Sequence, residues 1–354
     1  MRAWKEKVGK FLFSPESGKW LAVLRFGLGL QLLLYALSLK GDWNYLFAGT
    51  GGGLISRNLG EAILSLESPF VPRLGWLIVL GAKAGLPEET VLSIAWITLL
   101  GTGCSLLAGL FSRFSAILAW FLHLCAAKSG GLVSYGVDNF MTIGLFYLML
   151  SPLPDRYALD RRWRKSQLKD RQWSRRAPRD MDGRAVRPSE RERASQLLGF
   201  FRRVLQIHMC LIYFFGGITK CLGAGWWNGT NIWRALTRPP FNILPPEILV
   251  RWKYFLPVLG ISICLLETGY PVFIWLRKTR TIWLICILGM HIAIGLTMGM
   301  YLFALIMIVL NLAAFGPDFA IGRTREALTK KRDPRLPAPP WTVIRISKAR
   351  LSAG

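Results

Sequence analysis

Three apolar blocks constrain this chain more than any other feature. They are WLAVLRFGLGLQLLLYALSL (20–39), VLSIAWITLLGTGCSLLAGLF (91–111) and MYLFALIMIVLNLAAF (300–315). In none of them do the apolar residues fall at a helix or strand period with polar residues between. A helix needs about 20 residues to cross roughly 30 Å of hydrocarbon, and blocks of that kind recur along the 354 residues. The chain therefore reads as a multi-pass integral membrane protein, an all-α helical bundle. The first block is too long for the apolar core of a signal peptide, and SLKGDWN after it lacks a small-x-small cleavage site. It is expected to remain as a membrane helix.

Blocks and charges together predict about eight transmembrane helices, near 20–39, 90–111, 113–128, 138–152, 197–220, 251–276, 280–298 and 299–316. A short N-terminal segment (1–19) leads into a first half of four helices (20–152). A basic loop (153–195) follows, then a second half of four helices (196–316) and a basic tail (317–354). RLGWLIVLGAKAG (73–85) is too short to span and reads as a half-helix or an interfacial segment.

The net charge of +25 is concentrated at the flanks of the apolar blocks. Residues 155–193 carry fourteen Lys and Arg, the tail after Pro317 nine, and the first nineteen residues five. Such flanks mark the cytoplasmic side. Both termini and the basic loop then lie inside, with 40–89, 129–137 and 220–250 outside, and the ends alternate without conflict. This suits a cell membrane of the bacterial inner type, with anionic lipid headgroups as partners, worth about 1 kcal/mol per basic residue near the surface. No nucleic-acid motif accompanies the charge, so nucleic acid is not an expected partner.

The six cysteines are scattered singly, without CxxC. The three histidines lie on separate helices without HxxxH or ExxH spacing, so no metal is predicted. Ionisable residues inside membrane segments are costly and face the bundle interior or water. Arg25, His123, Asp138, Arg202, Arg203, His208, Lys220, Glu267 and His291 are of this kind. Arg202 and Arg203 are expected to snorkel to the nearby interface, while His123 and His208 read as packed, hydrogen-bonded core histidines. Glu267 and His291 lie at similar depth on consecutive helices, which predicts that they pair. Arg25 is read as a structural polar residue.

Lys220 ends an apolar run at YFFGGITKCLGAGWW. It can be an interfacial anchor, its stem along the helix and its ammonium at the surface. Alternatively, the neighbouring glycines permit close packing, and a desolvated lysine that loses its proton readily serves as a base. Gly, Trp and Asn cluster in the outer segments and suggest either an aromatic belt or segments meeting over a cavity that opens outward. Lys220 is expected to share such a cavity with Tyr135, Asp138 and Asn139, which lie level with it.

YFFGGITKCLGAGWWNGTNIW (213–233) resembles the vitamin K-dependent gamma-glutamyl carboxylases and their bacterial transmembrane (HTTM) relatives, in which a helix ends in a lysine followed by a tryptophan and a glycine. YGVDNFMTIGLFYLMLSPLPDRYALD (135–160) and the paired late helices at 267–315, with a histidine before a glycine-containing turn, resemble the same family. AVLRFGLGLQLLLY and FAGTGGGLIS add weaker likenesses, and together these stretches cover most of residues 20–316. The resemblance implies that Lys220 deprotonates a reduced quinone of vitamin K or menaquinone type. His291, structural or proton-relaying in its expected pair with Glu267, is a second catalytic candidate, and Tyr135, Asp138, Asn139, Trp226 and Trp227 are candidate substrate-binding residues of the outward cavity. The chain departs from the animal enzymes in having Asp138–Asn139 where they carry a histidine, and a short basic tail where they carry a large lumenal domain. Two functions stay open: a carboxylase-like membrane enzyme acting on a lipophilic small molecule, or a non-catalytic membrane module that partners another membrane or redox protein. A solute transporter is a weaker third, since no inverted repeat is visible.

Overall fold

The computed structural model describes residues 2–49, 57–67, 69–130, 134–153, 157–160 and 196–330. Residues 2–316 belong to a first compact unit, while the second, Pro317–Gly354, is described only as the helical residues 317–330. Helices α1 (Arg2–Leu12), α2 (Lys19–Ser38), α3 (Trp43–Phe47), α4 (Arg57–Glu67), α5 (Leu74–Lys83), α6 (Glu88–Ala108), α7 (Ser112–Ser129) and α8 (Gly136–Leu150) make the first half. The second half comprises α9 (Gln196–Cys221), α10 (Ala224–Trp227), α11 (Thr230–Thr237), α12 (Pro246–Arg251), α13 (Leu256–Phe273), α14 (Arg280–Met298) and α15 (Tyr301–Lys330). Among the described residues there is no β-strand.

Each of the eight apolar blocks is a helix. Among the described residues, five stretches are long and apolar enough to cross a membrane: Lys19–Ser38, Glu88–Ala108, Gln196–Cys221, Lys253–Phe273 and Arg280–Met298. Gly136–Leu150 and Tyr301–Gly316 are shorter apolar helices, and the doubtful stretch near residue 80 forms the ten-residue α5. The helix expected at 251–276 is tighter. Pro257 in the first turn of α13 fits the fixed backbone angle of a helix start, and Lys253–Phe255 form a separate 3₁₀ turn. Segments 40–89 and 220–250, expected to lie outside, contain the short helices α3, α4 and α5 and α10, α11 and α12.

The helices turn large apolar side chains outward as well as inward. Ile94 and Ile97 on α6, Phe215 on α9, Leu265 on α13 and Ile282, Ile285 and Leu296 on α14 are all exposed. A surface of that kind suits lipid, not water. Inside, small residues let backbones meet, as in membrane bundles generally. At the α2–α6 crossing, a methyl group on Gly29 would stand 2.8 Å from the Leu107 amide, and one on Gly103 3.1 Å from that of Leu33. The Trp96 indole reinforces the crossing by donating to Ala36 O (2.8 Å), while Trp43 on α3 donates to Leu92 O on α6 (3.0 Å).

Candidate functional site

The site is built where α9 and α13 run antiparallel in close contact. Gly217 makes the approach possible, because any Cβ there would lie 2.5 Å from the backbone N of Thr268. One turn further along α9, Lys220 reaches across to Glu267, with Nζ 2.5 Å from Oε2. Nζ also donates to Gly216 O at 3.4 Å, a bond within its own last turn. The Glu267 side chain is 9 % exposed and that of Lys220 25 %. The carboxylate is thus buried, while the ammonium is open on one side.

The GAGWWNG segment closes over this pair. Helix α10 folds back so that the Trp226 carbonyl abuts Gly260 on α13, and the Trp226 ring lies with its centroid 5.4 Å from Lys220 Nζ. Trp227 does different work. Its indole donates to Cys221 O at 2.7 Å, satisfying one of the carbonyls that the end of α9 leaves free. Lys220 is therefore a half-buried side chain with a carboxylate, a carbonyl and an aromatic face around it.

Glu267 and His291 have different partners. Glu267 meets Lys220, whereas His291 Nε2 lies 2.7 Å from the Tyr213 hydroxyl. Tyr213 accepts a bond from Asn311 Nδ2 at 2.7 Å, and Asn311 Oδ1 accepts one from the Tyr270 hydroxyl at 2.7 Å. Four helices, α9, α13, α14 and α15, contribute to this buried chain. It explains why His291 has no need of Glu267: a neutral phenol already satisfies the imidazole. The other ring nitrogen, Nδ1, is buried and has no hydrogen-bond partner among the described residues. Tyr213, Asn311 and Tyr270 were not singled out from sequence, although Asn311 stands alone in the apolar run MIVLNLAAF.

Tyr135, Asp138 and Asn139 lie at the start of α8, away from Lys220. Asp138 Oδ2 accepts from the Tyr135 amide (3.1 Å) and the Ser134 hydroxyl (3.1 Å), so the carboxylate caps its own helix. Its other oxygen is 4.0 Å from His123 Nε2, and His123 Nδ1 bonds the Thr142 hydroxyl at 3.1 Å. Tyr135 and Asp138 line a small cleft with Tyr35, Leu39, Phe47 and Ser134, and Lys220 does not reach it. Burial first, and the Asp138 carboxylate second, push the Tyr135 phenol above the ordinary tyrosine range. Asn139 is exposed. Phe303 stands between the two regions, its ring 5.9 Å from Phe140 on α8 and 5.8 Å from His291 on α14. Lys220 is thus not among the residues that line the cleft of Tyr135 and Asp138.

The buried arginines are structural clamps. Arg25 donates to the carbonyls of Leu106 and Leu107, which end α6. Arg202, expected to snorkel, is instead 1 % exposed. It pairs with Glu16 at 2.9 Å and donates to Ala314 O at 3.0 Å. Arg203 bonds Gln206 Oε1 at 2.8 Å and lies over the Phe11 and Trp275 rings. Both arginines sit at the opposite end of α9 from Lys220. His208 contacts the Tyr147 hydroxyl at 3.0 Å, a packed histidine like His123.

Among the described residues, no three His, Cys, Asp or Glu side chains come together as a metal site. What the arrangement offers chemically is a buried acid side chain against a half-buried lysine, open to one side beneath an aromatic ring. Comparison with protein-family models, curated proteins and solved structures found no match to this chain.

Proposed function

We propose that this chain is an eight-helix integral membrane protein in which the Lys220–Glu267 pair accepts a proton from a lipophilic small molecule of the hydroquinone class. The 2.5 Å contact between a half-open amine and a buried carboxylate carries the reading. Whether written as ammonium and carboxylate or as amine and acid, the pair is net neutral and takes up one further proton. Glu267 is then the acid and Lys220 the ammonium. A phenolate formed beside Nζ is held by that positive charge, and the low dielectric strengthens the attraction. The pair is therefore the base, a change from a lysine acting alone.

Residues around the pair suit a flat, largely apolar ligand with polar ends. Trp226 supplies an aromatic face, and His291 Nδ1 is a buried polar atom without a partner. The reading agrees with the resemblance to the vitamin K-dependent carboxylases, in which this lysine faces a reduced quinone. Glutamate carboxylation of a docked protein is not part of the proposal. The second reading, a non-catalytic module, is favoured by the double pairing of Nζ with Glu267 and Gly216 O, which also describes a structural latch. Organic extraction of protein purified in mild detergent separates the two. Stoichiometric recovery of a membrane quinone from the wild type, lost in Lys220→Met, supports the first reading. Equal trace amounts in both proteins support the latch.

A further inference from the structure

The α9–α13 contact that holds Lys220 on Glu267 also sets two cysteines against each other. In an antiparallel helix pair, stepping one turn forward on one helix matches stepping one turn back on the other. Gly217 lies against Thr268. Four residues on from Gly217 is Cys221, and four residues back from Thr268 is Cys264. The two thiols therefore face each other one turn beyond the closest approach. Cys221 Sγ lies 3.5 Å from the Thr268 hydroxyl, on the face of α13 that carries Cys264 one turn earlier. Both are free thiols in this structure, Cys264 buried and Cys221 half-buried.

We propose that Cys221 and Cys264 form a thiol–disulfide exchange centre beside the Lys220–Glu267 pair, with a small-molecule or protein disulfide as its oxidant. Cys221 is the thiol that an incoming disulfide can reach. Its thiolate attacks one sulfur, a mixed disulfide forms, and the first thiol of the oxidant leaves with a proton. Cys264 then attacks Cys221 Sγ, closing the intramolecular bond and releasing the second thiol. Two protein thiols are oxidised and one disulfide is reduced to two thiols, so electrons and protons balance. The bond would staple the end of α9 to α13 and fix Lys220 on Glu267, so the redox state of this pair governs how freely Lys220 moves. The inference does not depend on the ligand proposed above.

The test uses the full-length protein in detergent, oxidised glutathione as the probe, and peptide mapping by mass spectrometry without reduction. The wild type should yield a Cys221–Cys264 disulfide with little lasting glutathione adduct. Cys264→Ser should trap glutathione on Cys221, and Cys221→Ser should leave Cys264 unmodified. A wild type in which Cys221 keeps its glutathione while Cys264 stays free would overturn the proposal, and so would the absence of any reaction at Cys221.

Discussion

Lys220 Nζ and Glu267 Oε2 are 2.5 Å apart although 47 residues separate them in sequence. The contact joins the last turn of α9 to the interior of α13. It gives each group the partner that burial demands, since an isolated charge in hydrocarbon is far costlier than a paired one.

Removing one partner should therefore cost more than removing both. Lys220→Met and Glu267→Leu are each expected to destabilise the protein by about 2 kcal/mol, less than breaking a fully buried pair costs because Nζ is partly open. The double variant should recover at least half of the summed loss. Thermal unfolding of the four proteins in one detergent makes the comparison. Losses that simply add would mean that the two side chains are not coupled.

The His291–Tyr213–Asn311–Tyr270 chain should behave as a unit. Tyr213→Phe removes one hydroxyl and leaves both His291 Nε2 and Asn311 Nδ2 short of a bond, at an expected cost of about 1–3 kcal/mol. Tyr270→Phe strips only the Asn311 carbonyl, so it should cost less. Chemical denaturation in mixed micelles can rank them, and the reverse order would contradict the network.

Gly217→Ala should weaken the α9–α13 contact sharply, because the new Cβ meets backbone atoms of Thr268, which cannot swing aside. At Gly101, where a Cβ meets nothing within 4 Å, alanine should be neutral or slightly stabilising. Melting temperatures of the two variants provide the check, and equal effects would remove Gly217 from the account.

The topology gives a further expectation. Single cysteines introduced at Ser166, in the basic loop, and at Asn228, beside Trp227, should be labelled from opposite faces of sealed vesicles. Labelling of both from one face would contradict the eight-crossing arrangement.

Much of the helical framework was legible because long apolar blocks leave the backbone no other way to satisfy its hydrogen bonds in lipid. The small residues of GGITK pointed to close packing beside Lys220, and Gly217 does meet the Thr268 backbone there. The partner of Glu267 was not. Hydropathy reports depth in the membrane but not which face of a helix turns inward, and at that depth both Lys220 and His291 were within reach. Arg202 shows the same limit. Closeness to an interface suggested snorkelling, yet its side of α9 faces Glu16 and the Ala314 carbonyl, and those contacts are formed only in the packed bundle. Asp138 was read for substrate, whereas its spacing from Tyr135 already described a helix cap.

Turnover of a reduced menaquinone tests whether Lys220 and Glu267 together accept a proton. Purified protein in lipid nanodiscs, with oxygen present, would be followed by the absorbance change as the quinol is consumed. The wild type should accelerate consumption. Lys220→Met, which removes the cation that would hold the phenolate, and Glu267→Gln, which keeps hydrogen bonding but cannot take up a proton, should each lower the rate at least tenfold in protein that stays folded. Wild-type rates in both variants, or no acceleration by the wild type itself, would contradict the claim and leave the pair as a structural latch.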